Sequence, residues 1–200
     1  MINNLKNHLA KIISILFVPP SFTIILFTYF AFAFENELTK RLILILTAFT
    51  FGLAFHVIFF IYLRKKGRLV DSDASIKEER TFPYLISSLF YISGLAILIF
   101  FGINIISTAF WFCYISNTIL IMMINKSWKI SAHTMGAAGP LAALFFSKGW
   151  ESLFFLPLII LIGWGRIHRG VHTFAQVFAG ALVGFISTYL QMFIIVNLFK

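Results

Sequence analysis

Two short polar segments in the second half of the chain contain the residue types that phosphate chemistry requires. The first holds Ser131 and His133, and the second holds Arg166, His172 and Gln176. Phosphoryl transfer needs a nucleophile, hydrogen-bond donors around the phosphate oxygens and an acid that protonates the leaving oxygen. Imidazole, guanidinium and hydroxyl groups supply each of these, and neither segment contains Asp or Glu. The two segments therefore predict a site that binds an anion.

The spacing within the second segment places its polar side chains on one side of a helix. His172 and Gln176 are four residues apart, and Gly180 and Gly184 continue the same stripe. A histidine at a helix N-terminus lies where backbone N–H groups point outward and can bind phosphate. We expect the polar pair to face the interior of a helix bundle, with the two glycines allowing close helix packing.

A third polar segment, residues 64–83, contains both basic and acidic side chains, and its simplest interpretation is a solvated loop next to a membrane. Asp71 and Asp73, followed by Glu78 and Glu79, offer oxygen ligands of the kind that a hard cation prefers. No further acidic residue within an apolar run supports such a site. The sequence therefore predicts neither a metal site nor a cofactor.

The elements that must position these residues are transmembrane helices. Hydrophobic residues make up 60% of the chain and charged residues only 12%, a composition far outside the range of soluble proteins. The predicted fold class is all-α, a polytopic transmembrane helix bundle with seven spans. Pro19 and Pro20 should interrupt the first span, and the short gap between the third and fourth leaves a count of six open. The apolar runs are residues 12–34, 42–63, 84–105, 107–124, 131–147, 152–165 and 172–199.

The distribution of Lys and Arg predicts the orientation of the bundle. With seven spans and a cytoplasmic amino terminus, twelve of the sixteen basic residues fall on the cytoplasmic side, which agrees with the positive-inside rule. The two histidine segments and the loop of residues 64–83 then share that side. This placement explains the net charge of +9 without nucleic acid as a partner. We expect an integral protein of a bacterial inner membrane, with membrane lipids as its surroundings and an oligomeric state that the sequence does not define.

Two of these segments resemble the sequence motifs of the type 2 phosphatidic acid phosphatase superfamily, whose members are membrane histidine phosphatases. The third motif of that family is an Arg, five residues, a His, three residues and usually an Asp. Here Arg166, His172 and Gln176 stand in those places. The second motif, ordinarily Pro-Ser-Gly-His, corresponds to residues 130–133, in which Ser131 and His133 are retained.

The first family motif is a Lys, six residues and then Arg-Pro, and its nearest equivalents here are Lys77, Arg80 and Pro83. The resemblance implies a histidine-phosphatase-like core over residues 77–200, preceded by amino-terminal spans and a basic loop in residues 1–76. It also implies that His172 is the nucleophile and His133 the acid. The implied phosphate-binding residues are Arg166, Arg80, Lys77 and Ser131.

Lys129 is a further candidate for phosphate binding, because it lies just before the segment that contains Ser131 and His133. Its charge could serve membrane topology equally well.

Gln176 is the main departure from the family pattern, since the usual Asp accepts a hydrogen bond from the imidazole and stabilises its positive charge. A Gln carbonyl accepts that bond without adding charge. We expect a lipid phosphatase that hydrolyses a phosphatidate-like or isoprenoid phosphate or diphosphate through a phosphohistidine. The alternatives are a protein of the same fold that binds or transports lipid phosphates without hydrolysis, and a structural membrane protein with unrelated interfacial histidines.

Overall fold

The computed structural model describes residues 2–69 and 78–199, which form helices and turns with no strand among them. This confirms the all-α prediction. A π-helix at Ala48–Ala54 joins α3 to α4, and 3-10 helices at Glu78–Arg80 and Gly149–Phe155 precede α5 and α8. Within the described residues the α-helices are α1 (Ile2–Leu16), α2 (Pro19–Phe34), α3 (Leu38–Thr47), α4 (Phe55–Lys65), α5 (Thr81–Phe100), α6 (Ile105–Ser127), α7 (Ala132–Lys148), α8 (Leu156–His168) and α9 (Phe174–Leu198).

Several of these helices are long and apolar enough to cross a membrane. Five helical stretches of the described chain meet that criterion, and a sixth does so if two helices separated by a bend count together. That pair is Leu5–Leu16 and Pro19–Phe34, whose axes differ by 54°. The predicted interruption at Pro19 is thus confirmed, and Pro19 opens α2 at a position where its missing N–H breaks no helical hydrogen bond. The five stretches are Leu38–Lys65, Thr81–Phe100, Ile105–Ser127, Ala132–His168 and Phe174–Leu198.

The stretch Ala132–His168 folds back on itself. Gly149, with a φ of 73°, and the 3-10 helix after it separate α7 from α8. Thr134 near the start of α7 lies against Gly163 near the end of α8, because a Cβ on Gly163 would be 3.8 Å from the Thr134 Cγ2 atom. The two helices are therefore antiparallel, and the start of α7 and the end of α8 lie at the same end of the hairpin.

The chain divides into two compact units. The first is Met1–Phe22 with Ile130–Phe193, which contains α1, α7, α8 and most of α9. Small residues let its helices approach closely, since a Cβ on Gly136 would be 2.6 Å from the Pro19 Cβ atom. Its buried core is Ile13, Ala137, Ala138, Leu141, Ile159 and Ile162.

The second unit, Thr23–Lys129 with Ile194–Lys200, has an aromatic core. Trp111 is fully buried at its centre and donates from Nε1 to the Tyr91 carbonyl oxygen at 2.7 Å. The start of α6 is fixed by Asn104, whose backbone N and side-chain Nδ2 both donate to Glu35 Oε1, at 2.7 and 2.8 Å. The predicted boundary between residues 76 and 77 lies outside the described residues.

Candidate functional site

His172 lies in a turn whose two sides are both fixed by helix caps. On one side, Gly170 ends α8 with a φ of 67°, which a residue with a Cβ rarely adopts. Its N–H donates to the Ile167 oxygen at 2.9 Å, and the N–H of Val171 donates to the Arg166 oxygen at 3.3 Å. This is the Schellman arrangement, which satisfies carbonyl groups that the end of a helix leaves open.

On the other side, Thr173 and Gln176 form a reciprocal cap at the start of α9. The Gln176 N–H donates to Thr173 Oγ1 at 3.3 Å, and the Thr173 N–H donates to Gln176 Oε1 at 3.2 Å. This pattern is a capping box, in which Ser or Thr is followed three residues later by Glu or Gln. Thr173 was absent from the sequence-based site, although the letters TFAQ contain the signal that identifies it.

Gln176 also orients the imidazole of His172. Its Oε1 atom lies 3.0 Å from His172 Nδ1. Because the same atom accepts from the Thr173 N–H, it must be the amide oxygen, and Nδ1 of His172 must donate to it. In a neutral ring the lone pair is then on Nε2, the atom that a nucleophilic histidine would use. His172 is only 6% exposed, so this orientation is held in a buried environment.

Arg166 lies in the last turn of α8 and is fully buried, with 0% exposure. A guanidinium group keeps its charge in proteins, so this cation needs negative charge or dipoles nearby. The only acidic residue in the sequence of the first unit is Glu151, which is exposed in the 3-10 helix before α8. Glu151 precedes the first residue of α8, whereas Arg166 lies near its end, about 15 Å further along the helix axis.

Ser131 connects the start of α7 to the start of α9. It is fully buried, it caps α7, and its N–H donates to the Gln176 carbonyl oxygen at 3.2 Å. Thr134 adds a second link, because its Oγ1 donates to the Val177 oxygen at 3.0 Å. These bonds place the Ser131 segment beside the turn that holds His172 and Gln176.

Gly180 is required for this close approach of α7 and α9. A Cβ at that position would be 2.6 Å from the Ser131 carbonyl oxygen, and a Cβ on Gly184 would collide with the Met135 backbone. The prediction that both glycines serve helix packing is therefore confirmed.

His133 faces α1 on one side of its ring. Its Nε2 atom lies 3.3 Å from the carbonyl oxygen of Ser14 in α1, and since a carbonyl only accepts, Nε2 is the donor. In the neutral ring Nδ1 is then unprotonated, and only the imidazolium form carries a proton on both nitrogens. The side chain is half-buried, as expected for a residue at the edge of a site.

Three buried nitrogen atoms mark the interior of the first unit: Nε and Nη2 of Arg166 and Nε2 of His172. They form no hydrogen bond within the described part of the chain, although both side chains are held by contacts through other atoms. All three belong to residues that the sequence assigned to phosphate chemistry.

The other predicted phosphate-binding residues lie outside this unit. Arg80 immediately precedes α5 in the second unit and is only 4% exposed. Its guanidinium group lies beside the Tyr84 hydroxyl. Lys129 is half-buried before α7 and also belongs to the second unit, and Lys77 lies outside the described residues.

Two apolar grooves occur in the second unit, and neither is lined by a predicted site residue. One, of about 380 Å³, is formed by Phe55, Ile58, Phe59, Tyr62 and Phe90. The other, of about 240 Å³, is formed by Leu63, Arg68, Glu79, Phe82 and Pro83.

Comparison of the chain with protein-family models, curated proteins and solved structures gives no match. Ser131, His133, Arg166, His172 and Gln176 all belong to the first unit, where hydrogen bonds join Ser131 to Gln176 and Gln176 to His172. The function of this site must be inferred from its own geometry.

Proposed function

We propose that this protein is a membrane phosphatase of the type 2 phosphatidic acid phosphatase kind, which hydrolyses a lipid phosphate or diphosphate through a phosphohistidine at His172. The observation that supports this most directly is the shared acceptor Gln176 Oε1, 3.0 Å from His172 Nδ1. It leaves Nε2 as the basic nitrogen of a buried ring, which is the state that a nucleophile needs.

Charge favours an anionic substrate. Arg166 supplies a permanent positive charge in the interior of a unit whose sequence contains a single acid, the distant Glu151. A guanidinium can bind two phosphate oxygens at once, so Arg166 suits a phosphate group. Ser131 would add a hydroxyl, and Lys77, Arg80 and Lys129 remain sequence-based predictions for phosphate binding.

The reaction divides into two displacements at phosphorus. In the first, the lone pair of His172 Nε2 forms a P–N bond, the P–O bond of the substrate breaks, and protonated His133 gives its Nδ1 proton to the leaving oxygen. In the second, His133 accepts a proton from water, the water oxygen forms a P–O bond, and the P–N bond breaks to release phosphate. Arg166 stabilises the charge on the phosphoryl oxygens in both steps.

The substrate class follows from the surroundings, because a helical unit embedded in a membrane receives its substrate from the lipid phase. A phosphatidate-like or isoprenoid lipid fits this requirement. In the finer topology that we propose, α2, the α3–α4 stretch, α5, α6, α7, α8 and α9 are seven spans. The positive-inside rule then puts His133 and His172 on the cytoplasmic side of a bacterial inner membrane.

Cysteine labelling tests this topology. In a Cys113→Ser background, an impermeant maleimide should label Lys148→Cys in intact cells and Lys66→Cys only after lysis. The background without a new cysteine is the control. Labelling of both sites on the same side would contradict the seven-span topology, because an odd number of spans, α5, α6 and α7, lies between them.

Phosphate release by the purified protein in detergent, with a chelator present, tests the activity. We expect turnover of a lipid phosphate that His172→Asn lowers by at least about 10³-fold. His8→Asn, a substitution of an exposed histidine without a role in the proposed site, should retain turnover and serves as the matched control. Absence of turnover with both phosphatidate and isoprenoid diphosphate substrates, or full activity of His172→Asn, would contradict the proposal.

The alternative is a protein that binds or transports lipid phosphates without hydrolysing them. Gln176 supports it specifically, because a neutral amide stabilises a positively charged imidazole less than the usual Asp does. A radiolabelled lipid phosphate distinguishes the two functions. Retention of an alkali-stable, acid-labile label on the unmodified protein but not on His172→Asn favours the phosphatase, whereas saturable binding without covalent label favours the alternative.

A further inference from the structure

The amino-terminal helix α1 has three different faces. Leu5, Leu9, Ile12 and Leu16 follow the spacing of one helical stripe, and all four are exposed apolar side chains. Ala10 and Ser14 lie on a second face and are buried. The third face includes the exposed Lys11, which is two residues and therefore about 200° of helix rotation from Leu9, together with the exposed Ile15.

This pattern differs from that of a spanning helix. The 15 residues of α1 extend about 22 Å, less than the roughly 30 Å of a bilayer core. A helix inside the core would also expose Lys11 to lipid. An apolar stripe beside a polar face is typical of a helix that lies in the headgroup layer.

The side-chain hydrogen bonds of α1 lie at one end of the first unit, while Ile13 is part of its buried core. Asn7 Oδ1 is 2.9 Å from His168 Nε2, at the end of α8. Further along α1, the Ser14 carbonyl accepts from His133, the second residue of α7.

The following residues stay close to the same end. Pro19, just after α1, packs against Gly136, which is only four residues into α7. Within α1, the advance from Asn7 to Ser14 is about 10 Å, whereas their partners His168 and His133 lie within about 2 Å of the ends of α8 and α7. The helix therefore lies across the bundle end.

We propose that α1 binds the anionic headgroup layer of the membrane and, through Ser14, positions His133. The partner is the lipid surface itself, because α1 is joined to α2, an apolar helix of the membrane-embedded part, by only two residues. Lys6 and Lys11 match the negative charge of that surface. The effect on His133 chemistry rests on the proposed phosphatase function, whereas the membrane contact does not.

Fluorescence quenching in vesicles of phosphatidylcholine with phosphatidylglycerol tests the membrane contact directly. In the Cys113→Ser background, probes at Leu5→Cys and Leu16→Cys should be quenched equally by lipids labelled near the headgroup. A probe at Lys11→Cys should instead be quenched by aqueous iodide. A spanning α1 would place positions 5 and 16 about 16 Å apart in depth. Unequal depths, or iodide quenching at both sites, would overturn the proposal.

The charge dependence gives a second measurement. Replacing Lys6 or Lys11 with Gln should lower the ratio of membrane-bound to unbound α1 about 5-fold each in vesicles that contain phosphatidylglycerol. The same variants should show no change in pure phosphatidylcholine. If the substitutions changed this ratio equally in the two kinds of vesicle, binding of anionic headgroups would be contradicted.

Turnover tests the link to His133. Leu5→Gln with Leu9→Gln should lower turnover of a lipid phosphate in vesicles at least about 10-fold, measured in the same vesicles as the quenching. Leu38→Gln with Leu42→Gln, an exposed pair of equal spacing in α3, is the matched control and should retain it. Unchanged turnover in the first pair would refute the link. Absence of turnover in the unmodified protein would instead contradict the phosphatase, while the quenching result would still decide the position of α1.

Discussion

Replacement of Gln176 by Ala would remove two hydrogen bonds that share one oxygen atom. Oε1 accepts from the Thr173 N–H at 3.2 Å and from His172 Nδ1 at 3.0 Å. The first bond caps α9, and the second fixes the proton of the imidazole on Nδ1. A single substitution should therefore change both the stability of the helix start and the chemistry of the ring.

The two effects have different sizes. Loss of a cap costs about 1 kcal/mol, and a buried N–H of His172 without its acceptor costs about 1–3 kcal/mol. Since the ring can move its proton to Nε2, the second cost is partly relieved, and we expect about 2 kcal/mol in total. That relief removes the lone pair from the nucleophilic atom. Turnover should therefore fall between about 10² and 10⁴-fold, the upper value being that of a wrong tautomer in serine proteases.

Gln176→Glu provides the opposite test, because a carboxylate retains both acceptor bonds and adds negative charge beside the ring. We expect its turnover to equal or exceed that of the unmodified protein. Phosphate release gives the rate, thermal unfolding in detergent gives the stability, and nitrogen-15 spectra of labelled histidine give the tautomer. Gln191→Ala, elsewhere in α9, is the control. The reasoning would be refuted if Gln176→Ala had the same turnover as the unmodified protein. It would also be refuted if Gln176→Glu were slower than Gln176→Ala.

Three further substitutions test the packing through the thermal unfolding midpoint in detergent. Gly180→Ala should destabilise the protein by about 1–3 kcal/mol, because its methyl group would lie 2.6 Å from the Ser131 oxygen. The control Ala175→Ser changes an exposed residue of the same helix and should leave the midpoint unchanged. Equal midpoints for Gly180→Ala and this control would disprove the close approach of α7 and α9. Tyr84→Phe should cost about 1–3 kcal/mol, since Arg80 loses the hydroxyl beside its buried guanidinium, and an unchanged midpoint would show that this hydroxyl is dispensable. Glu35→Ala should lower the midpoint more than Glu35→Gln, which keeps an acceptor for Asn104, and the reverse order would contradict its role as a cap.

Several features of the fold could be predicted from patterns between residues that are close in the sequence. Hydropathy identified helices that can cross a membrane, because a chain in lipid must satisfy its backbone hydrogen bonds within each helix. Pro19 predicted the bend before α2, since proline lacks the N–H that a continuous helix needs. The resemblance implied that Gln176 accepts a hydrogen bond from His172, and the two side chains are 3.0 Å apart, although His172 lies in the turn before α9 and not within the helix.

Other features depended on residues that are distant in sequence. Nothing in the apolar run after Ala132 indicates where it folds back so that Thr134 meets Gly163. The contact between Ser14 and His133 joins residues 119 positions apart, and no local pattern encodes it. The sequence also predicted a first span over residues 12–34, whereas α1 begins at Ile2 and ends at Leu16.

The sequence by itself thus determined the membrane class, the helical elements and the residue types of the site. These follow from periodicity, composition and neighbours within one helical turn. Tertiary structure alone decided that the starts of α7 and α9 meet at Ser131 and Gly180, and that Arg166 is fully buried. The physical reason is that burial and charge balance depend on which helices pack together, and packing depends on shape complementarity between distant segments.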